Sequence, residues 1–192
     1  MLRFFGTALR VTVISVIVFG LMYPFAMTGI AQVLFPNQAN GSLVVRNGKV
    51  VASDIIGQLW TKPQYFQGRP SAAGKNGYDP TATGGTSLGP SSKKLIDATR
   101  AIVKALEKAN PNAVGPPPMD LVTSSGSGVD PDISPESAYW QARRVAAARN
   151  LPVGRVNATI AQHVHARQLG FLGEPHINVT ELNLALDSAR KP

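Results

Sequence analysis

Serine and glycine crowd the stretch VTSSGSGVDPDISPESAYW, residues 122–140, and a serine between glycines invites a nucleophile reading. A hydrolase elbow needs Gly-x-Ser-x-Gly between a strand and a helix. At Ser127 the residue two places earlier is Ser125, so the pattern fails. A triad would also draw on His163, His165 or His176, and none sits in a supporting signature. His163 and His165 are expected near the end of a helix, where residues two apart point about 200° apart, which argues against a shared metal. Asp130 and Asp132 flank Pro131 just ahead of Ser134, a turn-and-cap arrangement rather than a cation site. A second stretch, GGTSLGPSSKK, gives Gly84 and Gly89 the spacing of a phosphate loop. The lysine that must reach the phosphates next is replaced by Pro90. Gly84, Gly85, Thr86, Ser87 and Gly89 therefore stand only as weak anion or nucleotide candidates before a helix N-terminus.

Composition narrows the classes further. The chain has no cysteine, so disulfides, thiol catalysis and Cys-ligated zinc are excluded. Its net charge is +8, but Lys and Arg are scattered, with doublets at Lys93-Lys94, Arg143-Arg144 and Arg190-Lys191. That is no nucleic-acid footprint, and no nucleic-acid partner is expected. Hydrophobic residues make up 44% of 192, enough for one compact domain.

No charged residue occurs from Val11 to Val45. Within it, VTVISVIVFGLMYPFAMTGIAQVLF (11–35) exceeds the roughly 20 residues a bilayer core requires. A helix satisfies its own backbone in lipid, so Val11, Phe19, Pro24 and Ile30 are assigned to a transmembrane helix, with Pro24 expected to kink it. The rival reading is a cleaved signal peptide, but the apolar core is longer than the about 7–15 residues usual there. Arg3 and Arg10 precede the span, which places the N-terminus in the cytoplasm. Residues 1–35 are read as stub and anchor, and 36–192 as one extracytoplasmic domain.

The domain is expected to be α+β, with a β-hairpin, several helices and long Gly/Pro-rich loops. Asn47-Gly48 suits the type I′ turn of a hairpin over Ser42–Ser53. Trp60–Ser92 is a long irregular stretch whose Trp60, Tyr65, Phe66 and Tyr78 argue for order. An amphipathic helix capped by Ser91 or Ser92 carries Leu95, Ile96, Thr99, Ile102, Val103 and Leu106 on one stripe and stops at Asn110-Pro111. A second helix starts with Ser134 as N-cap, Pro135 and Glu136, and runs to Asn150. A third follows Pro152 and ends near Gly170. The tail INVTELNLALD is read as a helix capped by Thr180, although Leu182, Leu184 and Leu186 also alternate.

In order along the chain, the span, SLVVRNGKVVAS, YFQGRPSA, GGTSLGP, VTSSGSGVDPDISPESAYWQARRVA and LGFLGEPHINVTELNLALD together resemble one family. It is the C subunit of the Kdp potassium-transporting P-type ATPase complex, the KdpC family. The resemblance departs at Thr86-Ser87, Asp132 and His176. It implies a non-catalytic, single-pass subunit of the bacterial inner membrane. Its implied partners are a channel-like potassium-binding subunit, a P-type ATPase subunit and a small single-span subunit, besides the lipid bilayer. Potassium is the implied transported ion, and ATP is used by the complex. The family is described as aiding assembly and as a chaperone-like factor raising the ATPase subunit's affinity for ATP. Because residues 36–192 are placed outside and the Gly-rich turn lacks its lysine, that effect is expected to be indirect. Ser125, Gly126, Ser127, Gly128, Asp130, Pro131 and Ser134 are then expected to form a partner-contact loop. The alternatives are an anchored serine hydrolase using Ser127, or an unrelated anchored adaptor.

Overall fold

A computed structural model describes residues 2–188; the last four residues of the expected domain lie outside that range. The chain divides into two compact units, Met1–Val51 and Ala52–Pro192. The first is built on one unbroken apolar helix, Arg3–Leu34, of 32 residues. It comprises α1 (Leu2–Ser15), a π-helical turn (Val16–Met22) and α2 (Tyr23–Leu34). Val11, Phe19, Pro24 and Ile30 all lie on it, and its apolar side chains are exposed. The π turn has a cause in the sequence. Pro24 has no N–H, and in an α register its ring would meet the carbonyl four residues back, at Gly20. The preceding turn widens instead, with the Tyr23 N–H bonded to the Val18 carbonyl five residues back. The helix is long and apolar enough to cross a bilayer. The short α3 (Pro36–Ala39) follows, then β1 (Leu43–Arg46) paired with β2 (Lys49–Ser53). Asn47 and Gly48 take φ of 51° and 74°, as the type I′ turn requires.

The second unit is held by helices. α6 (Pro135–Arg149) packs on α7 (Val153–Gln162), which packs on α8 (Val179–Ser188). Ala142, Val145, Ala146, Val156, Ile160, Leu182 and Leu186 fill the seam, with Phe66, Leu121, Ile133 and Ile177 closing it. α6 begins where its signals put it: Ser134 Oγ accepts the Ser137 N–H at 3.1 Å, Pro135 is the first helical residue, and Asn150 caps the end in the left-handed region. At α8 the cap lies two residues earlier than expected. Asn178 Oδ1 accepts the N–H of Thr180 at 3.0 Å and of Glu181 at 3.2 Å, so Asn178 supplies the capping oxygen assigned to Thr180.

One further expectation is corrected. The third helix stops at Gln162, not near Gly170, because the chain turns at His163 to pair His165 with His176 across an antiparallel bridge. Those two imidazoles stack with centroids 5.3 Å apart, so His165 is on extended backbone rather than on a helix. The expected amphipathic helix between Ser92 and Asn110 is present as α4 (Lys93–Ala109), followed by the short α5 (Met119–Val122). Leu95, Thr99, Ile102, Val103 and Leu106 are only half-buried and Ile96 is exposed, so α4 lies at the edge of the core. Two short strands go unannounced in the sequence. β3 (Asp132–Ile133) pairs antiparallel with β4 (Ile177–Asn178), in the register Asp132↔Asn178 and Ile133↔Ile177.

Asp132 sits at this junction, half-buried, and loss of solvent raises its carboxyl pKa above the usual 3.8. His176 and His165 oppose that shift, while Asp130 and Glu181 add to it. A raised carboxyl means the folded state holds its proton more tightly, so stability falls as pH rises above about 3.8. Asp132→Asn is therefore expected to melt higher than wild type at pH 7, with the difference closing in acid. A melting series across pH would read this directly.

Candidate functional site

The long stretch 54–92 has no regular element beyond an isolated bridge, yet its aromatic residues are anchored. Side-chain amides from the helices bond its backbone as a neighbouring strand would. Asn183 Nδ2 donates to the Phe66 carbonyl at 3.0 Å, and Asn183 Oδ1 accepts the Phe66 N–H at 2.8 Å. Gln141 repeats the arrangement on Gln67, with bonds of 3.0 and 2.9 Å. Arg149 donates from Nε to the Gln64 carbonyl at 2.7 Å, pairs with Asp187 at 2.9 Å and lies 5.1 Å from the Tyr65 ring centroid. Buried backbone groups need such partners, and these five side-chain bonds stand in for a sheet.

The clamped stretch delivers residues 69–85 onto the serine–glycine loop. Gly84 N–H donates to the Ser127 carbonyl at 2.8 Å. Ser71 Oγ donates to the Gly128 carbonyl at 2.5 Å and accepts the Tyr78 N–H at 2.7 Å. Arg69 pairs with Asp130 at 3.0 Å. Within the loop, Ser125 Oγ accepts the Gly128 N–H at 2.8 Å, and Asp130 Oδ1 accepts the Asp132 N–H at 3.1 Å. Pro131 offers its carbonyl to Val179 N–H at 2.9 Å. Asp120, which the sequence did not single out, gathers Ser134 N–H at 2.7 Å and also accepts from the Ser134 and Ser137 hydroxyls. The loop is thus bonded on three sides.

Tyr78 reports on the same junction. Its hydroxyl donates to the Arg69 carbonyl at 2.7 Å. Its pKa is pushed up to about 12, by burial first and by the Asp130 charge second, with Arg69 pulling the other way. Because the folded value lies above the ordinary 10.0, its contribution is present below pH 10 and lost as pH rises towards 12. Tyr78→Phe is expected to flatten the loss of melting temperature over that interval. An unchanged alkaline slope would remove Tyr78 from this role.

The two glycines of the loop differ. Gly128 has φ +72°, and a Cβ there would lie 2.7 Å from Ala73 Cβ and 2.7 Å from the Gly84 carbonyl oxygen. At Gly126 a Cβ would meet nothing within 4 Å. Gly126 and Ser127 are the exposed crest, while Ser125 and Gly128 are buried beneath it.

The Ser127 hydroxyl accepts the Val129 N–H at 3.2 Å. His163 bonds the Thr159 carbonyl, His165 meets Glu181 and His176 meets the Glu174 carbonyl, so no histidine serves Ser127 as a base. In the turn Gly84–Gly89, the Gly84 amide is occupied by Ser127 and Thr86 Oγ1 accepts Leu88 N–H at 3.5 Å. Gly85 lies against Ser125 and Gly126. Thus the structure brings the two glycine stretches together, one supporting the other. No three His, Asp or Glu side chains converge on a metal-sized point among the described residues.

The family model described as "KdpC: K+-transporting ATPase, c chain" matches residues 5–188. A potassium-transporting ATPase KdpC subunit of Nitratidesulfovibrio vulgaris is 52% identical over 166 residues, 86% of this chain and 84% of that protein. The KdpC subunit of Gemmatimonas aurantiaca is 51% identical over 188 residues, covering 98% and 94%. That of Methylococcus capsulatus is 46% identical over 190 residues, covering 99% and 100%. With a match over residues 5–188 and relatives about 50% identical across nearly the whole length, this chain belongs to the KdpC family, the C subunit of K+-transporting ATPase.

Proposed function

We propose that this protein is an assembly subunit of an ATP-driven potassium uptake complex in the bacterial inner membrane. Its N-terminus faces the cytoplasm and residues 36–192 lie on the outer side. The observation that carries this orientation is the exposed 32-residue apolar helix. Arg3 and Arg10 lie at its start, and no charged residue follows until Arg46. Positive residues are retained on the cytoplasmic side of a span. The folded unit then docks against a channel-like potassium-binding subunit through the crest at Gly126 and Ser127. It stabilises that subunit's union with the P-type ATPase subunit and a small single-span subunit.

Any rise in ATP affinity is indirect in this reading. The Gly84–Gly89 turn has Pro90 where a phosphate lysine is needed, and its Gly84 amide already bonds Ser127. Protease added to sealed right-side-out vesicles should digest residues 36–192 and leave the anchor. Photoactivatable ATP should label the ATPase subunit and not this chain. Protection of the domain, or ATP labelling at Gly84–Gly89, would refute the orientation or the indirect route.

A further inference from the structure

The hairpin 165–176 ends in an exposed apolar tip. His165 and His176 exchange backbone bonds of 2.8 and 3.1 Å, and Gln168 and Leu172 exchange two of 2.9 Å. This ladder holds the tip outward. Leu169, Phe171 and Leu172 are 85%, 70% and 54% exposed. Leu169 is held at φ +53°, a region that disfavours leucine, next to Gly170 at φ +81°. Neither the core nor the loop contacts described above use these three side chains. Clustered apolar exposure on an ordered element marks a surface for binding.

Charge around the tip selects the kind of partner. Lipid-surface elements carry uncompensated Lys or Arg beside their apolar residues. Here Arg167 is bound to Glu174 at 2.6 Å, and residues 168–173 carry no charge. At the hairpin's base, His165 lies 3.3 Å from Glu181, and Asp132 and Asp54 share that acidic surrounding. An acidic base is repelled by anionic lipid and complements a basic rim.

We infer that the Leu169–Phe171–Leu172 tip plugs an apolar, basic-rimmed pocket on another protein subunit of the transport complex. This rests on the assembly role proposed above and names a docking element for it. The test replaces Phe171 with the photo-crosslinking residue p-benzoylphenylalanine in the full-length chain within native membranes. Irradiation should join it to another pump subunit, identified by mass spectrometry, while the same residue at exposed Met119 should not. Joining only to lipid, to a second copy of this chain, or to nothing would overturn the inference. In parallel, Phe171→Asp should lower recovery of the other subunits about tenfold with an unchanged melting temperature; unchanged recovery would also overturn it. Failure of the wild-type chain to recover those subunits would instead sink the assembly role itself, and the tip's role with it.

Discussion

Gly128→Ala is expected to destabilise the second unit by about 3 kcal/mol, from a left-handed residue that gains a Cβ and an overpacked contact. In a domain of this size that lowers the melting temperature by roughly 10 °C. The added carbon would lie 2.7 Å from both Ala73 Cβ and the Gly84 carbonyl oxygen and 2.9 Å from the Ala73 N. Two of those three atoms are backbone, which cannot swing aside as a side-chain end would. Displacing them also disturbs the Ser71–Gly128 and Gly84–Ser127 bonds. Gly126→Ala is the internal control, since its Cβ enters open space, and it should melt within about 2 °C of wild type. From the sequence alone the two glycines look equivalent, both candidates for a contact surface; in the structure only Gly126 is available for that, and Gly128 is a structural pivot. Equal melting of the two variants, measured by circular dichroism in detergent, would refute the stitched-loop description.

The second large effect is expected at Asn183. Replacement by leucine keeps the number and branching of side-chain heavy atoms but leaves the Phe66 N–H and carbonyl without their partners. Both Phe66 and Asn183 are fully buried, so each orphaned group costs about 1–3 kcal/mol, and the pair about 4. Gln141→Leu removes the equivalent clamp on Gln67, but Gln67 is half-buried and water can replace part of the loss. The order of destabilisation should therefore be Asn183→Leu above Gln141→Leu. The reverse order in chemical denaturation would mean that the long stretch is not held through Phe66.

These residues also explain what the sequence could and could not reveal. Signals that act within a few positions were readable. Ser134-Pro135-Glu136 starts α6, Asn47-Gly48 turns the hairpin, and an uncharged apolar run makes the long helix. The clamps act across 117 and 74 positions, and an asparagine in a helix gives no local hint that it will replace a strand. β3 and β4 are two residues each, too short to alternate. The early end of α7 depends on His176 pairing with His165, again a non-local event. α4 was legible as a helix with both its ends, but an amphipathic period reports only that one face prefers shelter, not how much of it the domain supplies.

The serine–glycine loop, whose pattern already fails as a nucleophile turn, is bonded throughout as a junction. Its hydroxyls are consumed by partners within the chain: Ser125 by the Gly128 amide, Ser127 by the Val129 amide, and Ser134 by the Ser137 amide and the Asp120 carboxylate. What it leaves exposed is a small crest.

The most direct measurement is purification of the tagged full-length chain from its native membranes in mild detergent, with assay of potassium-stimulated ATP hydrolysis. A P-type ATPase subunit and a channel-like subunit should be recovered with it, and the mixture should hydrolyse ATP in response to potassium. The chain purified alone should hydrolyse none. Recovery of the chain without those subunits, or hydrolysis by the chain alone, would contradict the assembly role.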